Sequence, residues 1–376
     1  MKRLVLAIAL LCAANLRAEP LKVASVQYSE KNSSDHYADK VQLPFVSGRQ
    51  PKVAKKINDY LYIDIARTIA PTKVSDGIKR YLSKDDDDPM AGVSSLNYKV
   101  LLNNGKLFTV QTAGEFCGAY CEDFSNSYSF DVATGRHITL QDLFTDDGLQ
   151  SLRHKVYKAR VATMQQAIKR LAKEAAKPKK KNQKKDDFEA DADETILLYE
   201  TCITENAATH KDEVSSGDTH ELAYFSIDAS GLTFTHERCS NHAMRALDSI
   251  DEFHNHYTFQ SLTKNLTAYA KHLLLNDTAK FDKPNNITGQ VYYGSIGQAP
   301  ITLLINNQVG DDTMLRAVYF YDKYRQPIDL SGTSSNWTET NSTVKPQPSI
   351  KTSWQDDVSV GQWLGSGKTL PFKIAP

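Results

Sequence analysis

The cysteines are the residues of this chain best suited to covalent chemistry. Cys12 lies in an apolar amino-terminal run, and the remaining four form an even set, Cys117, Cys121, Cys202 and Cys239. A thioredoxin-like redox motif has two residues between its cysteines, whereas three separate Cys117 from Cys121. An even set of cysteines in an oxidising compartment is expected to form disulfides. We therefore predict structural disulfides for an exported form of this chain.

Four cysteines allow three disulfide pairings. We favour Cys202–Cys239, because these residues lie in strand-like segments that flank one hairpin. We favour Cys117–Cys121 as the second pair, because Gly118 lets the chain close a tight loop. The other two pairings stay open at this stage.

Two histidines have a spacing that zinc sites use. His254 and His256 lie two positions apart, so both would face the same side of a strand over residues 253–259. His236 or His242 could supply further ligands, but cysteines in disulfides could not. We therefore expect surface or packing histidines, and neither a metal nor a cofactor.

Aromatic residues cluster around the first cysteine pair at Phe116, Tyr120, Phe124 and Tyr128. Aromatic side chains are enriched where proteins bind partners. The same residues also suit the edge of a hydrophobic core, which is the commoner role. We take these four residues as candidate ligand contacts.

Catalytic motifs are missing from the sequence. It contains no G-x-S-x-G, no H-E-x-x-H and no catalytic-cysteine context. Scattered Asp and Glu residues could include an acid pair, as in any chain of this size. We assign no catalytic residue, and a hydrolase acting on envelope polymers stays open as the alternative to binding.

The amino terminus has the pattern of a secretory signal peptide. Lys2 and Arg3 precede an apolar run over 4–14, and Ala18 is a small residue suited to cleavage. The run is shorter than the roughly 20 residues that a membrane-spanning helix needs. Cys12 lacks the small preceding residue of a lipoprotein signal. We therefore predict a signal peptide over 1–18 and a periplasmic or secreted product without stable membrane insertion.

Composition and charge are those of a soluble globular protein, with 40% hydrophobic and 24% charged residues. The chain has 45 basic and 45 acidic residues, and cleavage after Ala18 removes three basic ones, which leaves a formal charge of −3. This balance gives no long-range attraction to nucleic acid or to an anionic membrane. A chain of 376 residues can form about two domains.

Both hydrophobic periodicities occur in the first three quarters of the chain. We predict strands over 21–27, 37–45, 96–102, 107–112, 128–132, 222–227 and 232–236, and helices over 51–70, 149–171 and 259–275. Asn104-Gly105 predicts a type I′ turn between two of the strands. The helix that opens at Pro51 is expected to stop at Pro71. Strands interleaved with two or three helices, without a βαβ repeat, indicate an α+β class with an antiparallel sheet.

Two charged segments are predicted to be solvated. A lysine-rich block over 177–185 is followed directly by an acidic block over 186–194, and we predict a disordered insert over 177–194. The acidic run 85–88 lacks the spacing and central glycine of a calcium loop. We expect it to be a surface loop without calcium.

The sequence changes character at Lys283. Short strands at regular spacing follow, which predicts a small antiparallel all-β barrel or sandwich. The domains are therefore expected over 19–283 and 284–376. The second resembles a β-module of exported bacterial proteins that opens with IG-x-x-PI and contains YFYDKYRQPI-x-LSG.

Short motifs in the first domain occur in an order that carries a family resemblance. They are Leu43-Pro44-Phe45-Val46-Ser47-Gly48, Lys55-Lys56-Ile57-Asn58, Gly118-Ala119-Tyr120, Phe130-Asp131, Thr134-Gly135, Leu140-Gln141-Asp142-Leu143-Phe144, Phe225-Ser226-Ile227 and Gly231-Leu232-Thr233-Phe234. The region over roughly 24–275 resembles the extracytoplasmic domain of the anti-sigma-V factor RsiV, which is similar to the accessory domain of the peptidoglycan deacetylase PdaC. In RsiV this domain recognises lysozyme. The resemblance brings no catalytic residue.

Two departures from these relatives limit what the resemblance implies. We find neither a membrane span joined to a sigma-binding segment nor a deacetylase domain, so neither signalling across the membrane nor deacetylation is implied. We expect an exported cell-envelope binding protein that recognises lysozyme or peptidoglycan, acting as a sensor, inhibitor or scaffold.

Overall fold

The structure is a computed structural model that describes residues 19–28, 41–78, 90–176, 192–216, 222, 224–250, 252–306 and 314–376. The predicted signal peptide, the acidic run 85–88 and residues 177–191 of the charged insert lie outside the described residues.

The described chain opens with a two-stranded antiparallel sheet and a helix that packs on it. β1 (Lys22–Gln27) pairs with β2 (Gln42–Ser47), and α1 covers Pro51–Ala66. Proline suits the first helical turn, where its missing N–H breaks no helical hydrogen bond. The helix ends before Pro71, because Arg67 takes a left-handed φ of 48° and closes the last turn.

A meander of three long strands follows. β3 (Val93–Asn103), β4 (Leu107–Cys117) and β5 (Cys121–Asp131) each have 11 residues and pair antiparallel. Strand alternation places the directly opposed pair Phe108 and Phe130 in the core that includes α1. One face of the meander therefore packs on α1, and the opposite face is mainly polar but also buried at its base, where Leu107 belongs to a second hydrophobic cluster.

The β3–β4 turn differs from the predicted type I′ turn. That type needs a positive φ at both central residues, but in this turn only Gly105 has one, 80°. The side chain of Asn104 instead accepts the N–H groups of Lys106 at 3.0 Å and Leu107 at 2.9 Å. An Asn side chain can close a turn by bonding to backbone N–H groups further along the chain. The Asn-Gly pair therefore predicts the position of the turn correctly, but the turn has a different hydrogen-bond pattern from type I′.

Two helices come next. α2 covers Leu140–Leu143 and α3 covers Asp146–Ala175. Thr145 caps α3, since its Oγ1 accepts the N–H of Gly148 at 3.1 Å. Asp146 and Asp147 lie in its first turn, where the helix dipole favours negative charge.

A further helix, α4 (Ala192–Ser216), packs along α3 and corrects two predictions. Residues 192–194 are helical and not part of a disordered insert, because Asp193 and Glu194 suit a helical first turn. Cys202 lies on this helix and not in a strand-like segment. With Tyr199 it fills a small core between α3, α4 and the sheet described next.

The second three-stranded sheet consists of β6 (Phe225–Ile227), β7 (Gly231–Glu237) and β8 (Glu252–Thr258). The predicted hairpin between β6 and β7 is confirmed, with Asp228 Oδ1 accepting the N–H of Gly231 at 3.1 Å.

The predicted helix over 259–275 is two short helices. α5 covers Phe259–Leu262 and α6 covers Ala268–Leu275. Thr267 is the N-cap of α6, and its Oγ1 accepts the N–H of Ala270 at 3.0 Å. An N-cap has non-helical backbone angles, so the chain cannot continue as one helix through this residue. Among the described residues, no helix combines the length and the apolar content needed to cross a bilayer.

The rest of the chain forms a closed barrel of eight antiparallel strands, which confirms the barrel alternative. The strands are β9 (Gln290–Ile296), β10 (Ala299–Ile305), β11 (Leu315–Tyr321), β12 (Pro327–Thr333), β13 (Asn336–Glu339), β14 (Ser349–Gln355), β15 (Val358–Gly365) and β16 (Lys368–Ala375). Neighbours in the chain pair with each other, and β16 pairs with β9 to close the barrel. The fold is therefore α+β followed by an all-β barrel.

One face of the barrel packs against α1. Four side chains from the barrel share a buried cluster with this helix: Val291, Leu304, Val318 and Phe320. At the same junction the hydroxyl of Tyr293 donates to Asp59 at 2.8 Å, and Arg67 pairs with Asp329 at 2.8 Å. Apolar packing and partly buried polar contacts thus join the two parts.

Candidate binding site at the tip of the β4–β5 hairpin

A disulfide closes the tip of the β4–β5 hairpin. Cys117 and Cys121 are directly opposed, and their Sγ atoms are 2.08 Å apart. Within the three-residue loop, the N–H of Gly118 donates to the carbonyl of Tyr120 at 2.9 Å. A covalent link and a backbone hydrogen bond therefore fix the position of residue 120. The second disulfide joins Cys202 to Cys239, so both favoured pairs are present.

Two of the four candidate aromatic residues are exposed at this tip. Phe116 is 46% exposed and Tyr120 is 64% exposed. Aromatic rings offer a large contact area with few rotatable bonds. On a loop that is already fixed, they lose little conformational entropy when a partner docks. The tip therefore presents a preorganised aromatic contact surface.

The other two candidates pack towards the core. Phe124 is half-buried against the cluster around α1, and Tyr128 is 8% exposed. The Tyr128 hydroxyl donates to Asp64 Oδ2 on α1 at 2.9 Å. Because α1 covers only part of the meander, the sheet continues past the helix to the exposed tip. The aromatic cluster thus divides into two core residues and two tip residues.

A buried histidine stacks with the aromatic rings behind the hairpin. The His137 ring lies 4.5 Å from that of Tyr60, nearly parallel at 18°, and 5.4 Å from that of Phe130. Burial, followed by the charge of Arg136, lowers the pKa of His137 to about 3. His137 is therefore neutral at neutral pH and acts as a packing residue, which its sequence context did not indicate.

A buried ion pair lies next to this stack. The Arg136 guanidinium donates to both carboxylate oxygens of Asp142, at 3.0 and 3.2 Å. Asn286 joins the network. Its backbone carbonyl accepts a hydrogen bond from Arg136 Nη1 at 3.0 Å, and its side-chain Nδ2 donates to Asp142 Oδ1 at 3.1 Å. These bonds satisfy the two buried charges and tie α2 to the segment that enters the barrel.

The histidines predicted to share a strand face do so. His254 and His256 both lie on the exposed face of β8, with Nδ1 atoms 3.2 Å from Thr235 Oγ1 and 3.1 Å from Thr233 Oγ1. His236 lies on the opposite, buried face, so it cannot complete a metal site with them. Burial, followed by the charge of Arg160, lowers the pKa of His236 to about 4. The His242 side chain lies outside the described residues.

One group of three potential metal ligands occurs in the described part of the chain: Glu115, Cys117 and Cys121. Both sulfur atoms belong to the disulfide, so neither is available as a thiolate. The group therefore offers a single carboxylate as it stands.

An open groove of about 410 Å³ lies between α3 and α4, lined by Gln150, His154, His210 and Lys211. The ring of His210 stacks on that of Tyr157 at 4.1 Å and 4°. Small-molecule sites are usually enclosed and mostly apolar. This groove is open to solvent instead of enclosed, so we assign it no ligand.

A buried carboxylate lies inside the barrel. Glu339 is 6% exposed and accepts hydrogen bonds from the Tyr319 hydroxyl at 2.7 Å and from Trp363 Nε1 at 2.8 Å. Burial, followed by the Glu339 charge, raises the pKa of Tyr319. These bonds satisfy the carboxylate within the barrel interior.

Comparisons with known proteins yield distant structural likenesses. No protein-family model matches the chain, and no curated protein matches it. A crystal structure of a DUF3298 family member from Bacteroides fragilis NCTC 9343 is 13% identical, with a TM-score of 0.35, and covers 69% of this chain and 99% of that one. A DUF3298 family protein from Pseudomonas aeruginosa PAO1 is 9% identical, with a TM-score of 0.33, and covers 68% and 98%. Likenesses this distant transfer no function.

Proposed function

We propose that the protein is an extracytoplasmic binding protein that recognises a cell-envelope ligand with the tip of the β4–β5 hairpin. The observation that carries the proposal is the pair of exposed aromatic rings, Phe116 and Tyr120, on a loop fixed by a disulfide. Exposed aromatic side chains on rigid elements are the type of residue that dominates binding energy at protein interfaces. Disulfides form and persist in oxidising compartments, which supports an extracytoplasmic location.

Lysozyme is the first candidate ligand and peptidoglycan the second. Both come from the resemblance of residues 24–275 to the extracytoplasmic domain of RsiV and to the accessory domain of PdaC. In this proposal residues 19–283 form the recognition domain, and the barrel over 284–376 supports it. The barrel packs on α1, and α1 in turn packs on the buried face of the meander whose tip is the proposed site.

A binding and turnover assay tests the proposal. The mature chain, beginning at residue 19, is mixed with immobilised lysozyme and, separately, with purified peptidoglycan that is then sedimented. We expect binding to one of them and no release of soluble sugar or peptide fragments from peptidoglycan. A Phe116→Ala/Tyr120→Ala variant should bind less, with an unchanged melting temperature.

Two results would contradict the proposal. Absence of binding to both ligands would remove the assigned ligand class. Turnover of peptidoglycan by the mature chain would instead favour the hydrolase alternative. The Phe116→Ala/Tyr120→Ala variant is prepared in parallel as a control. A contaminating hydrolase would give the same turnover in both preparations, whereas binding at the tip should be weaker in the variant.

A further inference from the structure

Four side chains with metal-binding atoms share one face of the β4–β5 hairpin at its tip. Glu115 and Cys117 lie two positions apart on β4, and the residues directly opposite them on β5 are Asp123 and Cys121. Residues two apart on a strand point to the same side of the sheet, and so do residues directly opposed across an antiparallel pair. This face of the tip therefore carries two carboxylates and two sulfur atoms.

Three of these residues are close enough together to hold one ion. A carboxylate oxygen of Glu115 and the sulfur atoms of Cys117 and Cys121 all lie within 4.8 Å of one another. The Glu115 Oε2 atom is 3.7 Å from the Cys117 sulfur, and the same oxygen accepts a hydrogen bond from the Ser94 hydroxyl. Hydrogen bonds of this kind orient the carboxylate ligands of metal sites. The third ligand is therefore already directed at the two sulfur atoms.

The disulfide prevents metal binding, because the ligand that cysteine offers a metal is the thiolate. Of the two disulfides, the one at the tip is the more accessible. Cys121 is exposed and Cys117 is half-buried, whereas Cys239 is half-buried and Cys202 is only 8% exposed. Thiol–disulfide exchange requires that the attacking thiolate reach a sulfur atom. A dithiol reductant should therefore reduce the tip disulfide first.

We propose that the reduced tip is a zinc site, with the Glu115 carboxylate and the thiolates of Cys117 and Cys121 as its protein ligands and water in the fourth position. Zinc binds thiolates and carboxylates in a tetrahedral arrangement, and its cysteine pairs are typically separated by about two to four residues. Three residues separate Cys117 from Cys121. Zinc–sulfur bonds of about 2.3 Å place two sulfur atoms roughly 3.8 Å apart, so the sulfur atoms must separate after reduction. Rotation of the two opposed side chains allows this separation.

Two steps lead to the zinc-bound form. One thiolate of the dithiol attacks a tip sulfur, breaks the Cys117–Cys121 bond and forms a mixed disulfide, which the second thiol then resolves. The reductant leaves as a disulfide, and its two electrons and two protons remain on the tip cysteines as two thiols. Zinc then displaces both protons to solvent as two zinc–sulfur bonds form. These bonds hold Cys117 and Cys121 together, so the metal closes the loop that the disulfide had closed.

Metal binding after selective reduction is the first test. The mature chain is treated with dithiothreitol under native conditions and desalted without oxygen. Alkylation and peptide mapping should find thiols at Cys117 and Cys121 and an intact Cys202–Cys239 disulfide. The reduced chain should retain about one equivalent of zinc through dialysis, and cobalt in its place should give sulfur-to-cobalt charge-transfer absorption. The oxidised chain and the Cys117→Ser/Cys121→Ser variant should show neither.

Matched carboxylate variants test the third ligand. Glu115→Gln keeps the size of the side chain and removes its charge, and it should weaken zinc binding by roughly tenfold or more. Asp123→Asn removes an equal charge from the same face, but Asp123 lies outside the group of three, so its loss should weaken binding by less than about threefold. The melting temperatures of the oxidised variants, measured first, check that both keep the fold of the parent chain.

Three results would overturn this inference. The first is reduction of Cys202–Cys239 before the tip disulfide, and the second is zinc uptake by the reduced chain no greater than by the oxidised chain. The third is an equal zinc affinity of Glu115→Gln and Asp123→Asn, which would remove Glu115 from the site. The inference goes beyond the proposed function. Since no test of it uses lysozyme or peptidoglycan, its failure would leave the proposed function intact.

Discussion

At the scale of single residues, the tip aromatic residues are exposed where the rest of their cluster is buried. Four aromatic residues share a short stretch of sequence, yet Tyr128 and Phe124 pack towards α1, whereas Phe116 is 46% exposed and Tyr120 is 64% exposed. Spacing along the strands could not distinguish them, because the division depends on where α1 stops covering the meander. The sequence located the candidate site, and the packing of α1 selected its members.

The first residue-scale prediction concerns Tyr120. Tyr120→Ala should weaken binding of the envelope ligand by more than about 1 kcal/mol, roughly a fivefold loss of affinity or more, because an aromatic ring on a fixed loop loses little entropy on docking. Titration calorimetry on the mature chain measures it. Tyr324→Ala, which removes a 60% exposed tyrosine from the barrel, is the matched control. Equal affinities for the two variants would place the site away from the tip.

The second residue-scale prediction concerns pH. The pKa of His137 is about 3 in the folded protein, against the ordinary 6.5 expected for the unfolded chain. Between these pH values the unfolded chain binds a proton at this residue and the folded protein does not. The contribution of His137 to the free energy of unfolding is therefore fully present above pH 6.5 and is lost as the pH falls towards 3. At pH 4.5 the loss from this residue is about 2–3 kcal/mol.

His137→Phe tests this sign, because it keeps an aromatic ring in the stack and removes the titration. Whatever its stability at pH 7, the variant should lose less of its free energy of unfolding between pH 7 and pH 4.5 than the parent chain does. Urea denaturation at the two pH values measures the difference. The exposed His254→Gln is the control, and a pH dependence in His137→Phe equal to that of the parent would contradict the assignment.

At the scale of elements, local sequence signals predict most of the strands but do not predict α4, which follows the charged segment. The β6–β7 hairpin, the β3–β4 hairpin and the barrel strands carry turn residues and alternation that can be read directly. β5 begins at Cys121, seven residues before the strand predicted over 128–132. The sequence pattern does not indicate α4, because the helix is weakly amphipathic and follows a highly charged segment. Its buried side chains pack against α3 and β8, and these contacts cannot be read from local sequence. The split between α5 and α6 depends on the cap at Thr267, within an otherwise helical apolar pattern.

The element-scale prediction compares the two disulfides. Cys202–Cys239 closes a loop with a sequence separation of 37, and Cys117–Cys121 one of 4. In the chain-entropy model the longer loop contributes on the order of 3–4 kcal/mol to stability and the shorter about 2 kcal/mol. Cys202→Ala/Cys239→Ala should therefore lower the melting temperature more than Cys117→Ala/Cys121→Ala.

Ligand binding should rank the same two variants in the opposite order. Loss of Cys117–Cys121 releases the tip loop, so the affinity for the ligand should fall, whereas loss of Cys202–Cys239 leaves the tip closed. Calorimetry well below both melting temperatures checks this. Finding that the destabilised Cys202→Ala/Cys239→Ala variant is also the weaker binder would separate the binding site from the tip disulfide.

At the scale of the whole molecule, the barrel and the α+β part share a core. One outer face of the barrel contributes Val291, Leu304, Val318 and Phe320 to the cluster that contains the buried face of α1. The sequence places a domain boundary near Lys283, because strand spacing and turn residues change there. It does not reveal the shared cluster, because the residues that meet are more than 200 positions apart. We infer that the two parts unfold together.

Two optical signals separate the two parts and test this inference. All three tryptophans, Trp337, Trp354 and Trp363, lie in the barrel, so their fluorescence reports the barrel alone. The helices of the described chain all precede residue 284, so circular dichroism at 222 nm follows mainly the α+β part. In the parent chain the two signals should change at the same denaturant concentration.

Phe320→Ala is the decisive variant, because it alters the barrel while the helices provide the readout. Phe320 is fully buried in the shared cluster, and its truncation should cost about 3–5 kcal/mol. If the two parts are coupled, the fluorescence and circular dichroism midpoints shift down together. Ile374→Ala is the comparison variant, because it truncates a side chain in the barrel's interior cluster, away from α1. If the whole chain unfolds cooperatively, this variant should also lower both midpoints. A helical midpoint that stays in place while the tryptophan midpoint falls would show that the barrel unfolds independently of the α+β part.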